Sequence, residues 1–129
     1  MSEDREDRLR EHPRERFAPS ERIIDLHEVF DQLAEESHEP VDGHRQMTID
    51  REGPLTLIAF HFEQDATLPN HVVDGAVEIQ VLEGSMSVDT EDRGFNLEAF
   101  QMLTLDPGVP HSLRANEESR VLVTVFLGS

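Results

Sequence analysis

The sequence predicts one small all-β domain, a barrel or sandwich, preceded by a short helix. Three observations carry this expectation. Short β-prone runs follow one another from residue 45 onward. Turns rich in Gly, Pro and Asp separate those runs. Sustained helical spacing of apolar residues occurs ahead of them, between residues 26 and 36. A chain of 129 residues suits one domain with a modest core, and it contains no long internal repeat.

Residues 1–20 are charged, carry Pro13 and Pro19, and lack a sustained apolar period, so they are expected to form a flexible arm. The arm mixes Arg with Asp and Glu, which argues against a basic nucleic-acid tail. Residues 21–44 are expected to hold the helix and a linker. Asp25 is its N-cap, with Glu28 at capping-box spacing and Ile24 and Val29 placed for a hydrophobic staple. Leu26, Val29, Phe30, Leu33 and Ala34 form one apolar stripe. That stripe needs cover, from the outside of a barrel or from a partner subunit. Pro40 and the Asp42-Gly43 pair then interrupt the chain.

The barrel itself is expected over 45–129. Strands are predicted at 46–50, ending at Gly53-Pro54, and at 55–62 (LTLIAFHF). Residues 76–82 lead into Glu83-Gly84 and 85–90 lead out. A turn at 91–94 precedes a strand at 95–98, and 101–105 precedes the Pro107-Gly108 turn. Strands at 111–115 and 120–127 close the chain. This many short strands with tight turns indicate a sandwich or barrel.

Composition excludes several classes of function. The formal net charge is −17, with 28 acidic residues, eleven basic ones that are all Arg, and no Lys. Such a chain repels phosphate backbones and anionic membrane surfaces, so neither nucleic acid nor membrane is an expected partner. Two origins fit this acidity: a host with high internal salt, where screening removes self-repulsion, or a GC-rich genome that favours Arg codons. Cysteine is absent, which excludes disulfides and thiolate metal sites. The first residues lack an apolar run and no stretch reaches membrane-spanning length, so a soluble, cytoplasmic protein is expected.

Two segments resemble the paired motifs of the cupin superfamily. The first is DATLPNHVVDGAVEIQVLEG, from Asp65 through His71 to Gly84. The second is DPGVPH, from Asp106 to His111. Their order, and the hairpin between them, also match. The resemblance covers about residues 45–127 and implies a double-stranded β-helix barrel of the jelly-roll type. Such barrels often pair as homodimers. The superfamily includes metal-dependent dioxygenases, isomerases and epimerases, sugar-binding domains of regulators, and storage proteins without catalysis, so the fold alone does not select a function.

In metal-binding cupins the first motif supplies two His and a carboxylate, and the second supplies one His. By that resemblance His71 and His111 match ligand positions, whereas Val73 stands where the second His belongs and cannot ligate. The carboxylate position falls on Val77 counting back from Gly84, and on Glu78 counting forward from His71. Strand alternation turns Glu78 outward if Val77 faces in, while a bulge near Gly75 would reverse that. The metal set implied is thus His71 and His111, with Glu78 as the third ligand under the bulge reading; zinc, iron, manganese and nickel suit such donors. His61 and His44 are substitute donors whose ordinary reading is structural. Met47, Met86 and Met102 could line an interior pocket, although core packing is the commoner role.

No Walker loop, nucleophile elbow or H-E-x-x-H motif is present, so no catalytic residue is assigned. The expected function is a stand-alone small cupin that binds a small molecule or a weakly held metal in its barrel, around His71 and His111. One alternative is a metal-dependent oxygenase or isomerase with a rebuilt ligand set. Another is a dimerising interaction protein with an acidic face.

Overall fold

A computed structural model describes residues 20–36, 40 and 42–127, with the side chain of His71 excepted. The expected arm therefore lies outside the described residues apart from Ser20.

Helix α1 spans Leu26–Ala34. The Asp25 carboxylate caps it by accepting from the backbone N–H of His27 at 3.0 Å and of Glu28 at 3.3 Å. It stops two residues before the predicted end. There the Glu35 N–H is shared between the carbonyls of Asp31 and Gln32, and Glu36 donates back to Leu33, which tightens the last turn. Phe30 and Leu33 are the buried face of the stripe.

Nine strands follow: β1 His44–Glu52, β2 Leu55–Phe62, β3 Thr67–His71, β4 Ala76–Glu83, β5 Ser85–Thr90, β6 Gly94–Glu98, β7 Met102–Leu105, β8 His111–Ala115 and β9 Ser119–Phe126. They form two antiparallel sheets, ordered β1-β2-β9-β4-β7 and β3-β8-β5-β6. Apolar side chains alternate toward the space between the sheets: Phe60 and Phe62 from β2, Val77, Ile79 and Val81 from β4, Met86 and Val88 from β5, Val121 and Val123 from β9. The layout is the cupin jelly roll.

The helix stripe covers the outside of this body. Phe30 and Leu33 pack on Ala59 of β2, with Met47 and Ile49 of β1 around them. Two arginines fasten the arrangement. Arg120 of β9 reaches Asp31 at 3.0 Å and lies over the Phe30 ring at 5.8 Å. Arg22 reaches Asp50 at 2.8 Å and Glu52 at 3.0 Å on β1. Its hydrogen bond to Asp50 and the nearby charges of both acids hold the guanidinium above its ordinary range, against a smaller opposing cost of burial.

Strand β3 was not predicted. It carries Pro69, shows no clean alternation, and pairs only with β8 through a register that shifts between Leu68 and His71. Proline is tolerated there because β3 is an edge strand. Strand β1 is the edge of the other sheet. The two edges meet at one end, where the Thr67 N–H donates to the Asp42 carbonyl at 3.2 Å. Gly43 lies so close to Ala66 there, with φ 81°, that a Cβ would collide with it. β1 and β3 are not neighbours in either sheet.

Candidate functional site

The space between the sheets is not completely filled. A cavity of about 360 Å³ lies between Ile58 and Phe60 of β2, Val77 and Ile79 of β4, Val123 and Val125 of β9, and Leu113 of β8. Leu68, Pro69 and Asn70 of β3, Val73, and Gln46 of β1 complete its wall on the seam side. Among the described side chains, the polar members of this wall are Gln46, Asn70 and His111.

His111 opens β8 and is 2% exposed. Its Nδ1 lies 3.0 Å from the Val109 carbonyl oxygen. A carbonyl only accepts, so Nδ1 donates, and in the neutral ring Nε2 is then the acceptor nitrogen. The turn before it is tied to the first motif segment. The Gly108 N–H donates to the Val73 carbonyl at 2.9 Å, and that of Val109 to Asp106 at 3.4 Å. The two motif segments are thus bound to each other by backbone.

His71 is the last residue of β3 and the register partner of His111. The fold therefore brings together, at the backbone level, the two positions singled out in the sequence. Val73 stands in the cavity wall as hydrocarbon and Val77 is buried on the inner face. Glu78 is not brought to this place. It is exposed on the outer face of β4, in register with Thr104 and Thr124. No bulge at Gly75 turns it inward, because β4 runs in step with β9 from Ala76 and slips only between Val81 and Glu83. Gly75 is itself pressed against the Phe126 carbonyl, without room for a Cβ.

Neither substitute histidine lines the cavity. His61 alternates with the inward Phe60 and Phe62 and so faces the helix side, where its Nε2 lies 2.9 Å from Glu118 Oε2. His44 is buried with its ring tilted against Phe60 and Phe62, at 5.6 and 5.4 Å. Nδ1 of each is buried without a hydrogen-bond partner among the described residues. The methionines are also elsewhere: Met86 is core, Met47 underlies the helix and Met102 is exposed.

These positions test the metal set implied by the resemblance. No group of three or more His, Asp or Glu that could hold an ion is found among the described residues. Val73 offers no donor and Glu78 faces solvent, so of the implied set His71 and His111 are the two positions that the backbone sets opposite each other. Gln46 and Asn70 are the site residues that sequence reading did not single out. Asn70 adjoins His71 within the first motif, which is the signal available for it; Gln46 is an ordinary alternating position with none.

Comparison with known proteins bears on the family and the fold. The family model for the AraC-like ligand binding domain matches residues 52–126, more than half of the chain. A cupin superfamily protein from Desulfitobacterium hafniense superposes with a TM-score of 0.67 at 14% identity, over 85% of this chain and 94% of that one. An RmlC-like cupin from Shewanella frigidimarina gives 0.65 at 17%, over 72% and 84%. Salicylate 1,2-dioxygenase from Pseudoaminobacter salicylatoxidans gives 0.64 at 17%, over 78% of this chain but 30% of that enzyme. These likenesses concern the fold. No curated protein matches the sequence.

Proposed function

Since the chain belongs to the AraC-like ligand-binding domain family, within the cupin superfamily, we propose that its barrel cavity is the working site and holds a small molecule beside His111. One observation carries this reading. A space of about 360 Å³ lies among residues of both sheets, and the histidine of the second motif is part of its wall. Ligand pockets of roughly 300–1,000 Å³ are ordinary for small molecules.

Thermal melting against a chemically mixed set of small molecules tests it. A ligand at about 100 times its Kd stabilises the folded state by about 2.7 kcal/mol, a shift of several degrees. Stabilisation by at least one compound, lost in His111→Ala, is the expected result. Melting that no compound moves, or shifts unchanged by His111→Ala, rules the reading out.

A weakly held divalent metal is the second reading, favoured by the register that sets His71 opposite His111. Two imidazoles would leave the remaining coordination positions to water. Metal analysis after purification without added ions decides this. Stoichiometric zinc, iron, manganese or nickel, lost in both His71→Ala and His111→Ala, would establish it and reopen oxygenase or isomerase chemistry. A metal-free protein whose melting ignores added divalent ions ends it.

A further inference from the structure

Building on the reading of the barrel as a ligand site, we infer that its ligand is a neutral, largely apolar molecule of one or two rings with a single polar end, rather than a sugar or a carboxylate. The wall supports this by what it offers. Ile58, Val77, Ile79, Val123 and Val125 present branched hydrocarbon from three strands, and Phe60 adds one aromatic ring. Among the described side chains, no Arg, Asp or Glu belongs to the wall.

Size sets the first limit. An engineered cavity of about 150 Å³ is known to accept benzene. A space of about 360 Å³ is therefore on the scale of a two-ring molecule. Charge sets the second limit. A carboxylate or phosphate would be stripped of water against hydrocarbon, with no Arg among the described wall side chains to meet it. It would also approach a protein of formal net charge −17, whose field opposes anions at long range. Hydroxyl count sets the third. A monosaccharide carries a hydroxyl on nearly every carbon, all around its ring. Among the described side chains, the polar wall residues are Gln46, Asn70 and His111, and Gln46 and Asn70 belong to the two edge strands at the seam. Hydroxyls deep in the cavity would face valine and isoleucine and go unsatisfied. A ligand with one polar end at the seam and an apolar body inside matches this arrangement.

Three probes of similar bulk separate the classes: 2-naphthol, 2-naphthoate and glucose. The chain has no Trp and no Tyr, so naphthol fluorescence can be followed against a nearly dark protein. Glucose and naphthoate are followed by calorimetry and by competition. Val73→Phe serves as the blocking variant, because Val73 is a half-buried wall residue whose enlargement extends into the cavity; its melting curve verifies folding, and Val123→Phe replaces it if folding fails.

The expected result is saturable naphthol binding, weakened at least about tenfold by the blocking variant, with naphthoate and glucose each weaker than naphthol by about tenfold or more, the factor that ~1.4 kcal/mol represents. Naphthoate or glucose binding as well as naphthol, and lost in the variant, overturns the ligand class while leaving the cavity as the binding site. Naphthol binding that the variant does not weaken overturns both. Absence of binding by all three probes overturns the ligand class, and the melting screen with His111→Ala then judges the site separately.

Discussion

His111 answers two demands. It is a buried polar side chain whose ring must keep a partner, and it is a polar point in a cavity wall made mostly of hydrocarbon. Its hydrogen bond to the Val109 carbonyl meets the first demand and fixes which nitrogen carries the proton in the neutral ring. Removing the ring leaves that acceptor without its donor, so His111→Ala is expected to cost about 1–3 kcal/mol in chemical denaturation. Glu78 is the contrasting residue. It is exposed between two threonines on the outer face, and Glu78→Gln should change stability by no more than about 0.5 kcal/mol, with ligand and metal binding unaltered. A loss of either binding in Glu78→Gln would show that the strand turns over in solution. The sequence alone left Glu78 open because a single residue of slip exchanges the two faces of a strand. Gly84 shows a different constraint. It has φ 96° and is packed against Ser119 and the Glu118 carbonyl. Backbone strain at such a position costs roughly 1–3 kcal/mol, so Gly84→Ala should lower the denaturation midpoint more than His111→Ala does once the added collision is included.

At the scale of elements, legibility followed pattern. The strands LTLIAFHF, SMSVDT and HSLRA were read to the residue, because turn signals bound them and alternation fills them. Helix α1 was legible from its cap and stripe, although its last two predicted residues unwind. Strand β3 was illegible because Pro69 breaks the ladder and the strand pairs on one side only. The cavity was illegible for another reason. Alternation tells which face Ile58, Val123 and Val125 occupy, but not whether the facing side chains meet; that depends on sheet separation. Two substitutions test how the helix is held. Asp25→Ala removes a cap that serves two N–H groups and should cost about 1 kcal/mol. Leu33→Ala empties a fully buried position over β2 and should cost about 2–5 kcal/mol. If Leu33→Ala costs under 1 kcal/mol by chemical denaturation, the helix is not docked on the barrel as described. Arg22 adds a bridge whose raised pKa keeps it charged; its contribution is complete below the unfolded value and fades only as pH rises through the folded one, in strong alkali.

The whole molecule carries a formal net charge of −17 on 129 residues, and this is where salt enters. Self-repulsion favours expansion of the chain, and ions at molar concentration shorten its range to about 3 Å. The melting temperature should therefore rise steadily from low salt to molar salt. A flat or falling curve would mean that the acidic side chains are spaced too widely to matter, and that the composition has a genomic rather than a physical origin. The fold tolerates this charge because, among the described residues, no Asp or Glu is buried.

The seam between β1 and β3 bears on how such a molecule keeps time. The Thr67–Asp42 hydrogen bond joins the two edges, which are not neighbours in either sheet, and Gln46, Pro69 and Asn70 line the cavity. A guest leaving by that route breaks side-chain contacts and spares the paired core of β2, β9 and β4. Its dwell time should then be nearly independent of how fast the protein unfolds. Gly84→Ala, which strains the turn between β4 and β5 and lies in neither edge strand, should speed unfolding and leave the release rate unchanged in stopped-flow dilution. Residence and stability would be set by different parts of one small barrel, so each could change without the other.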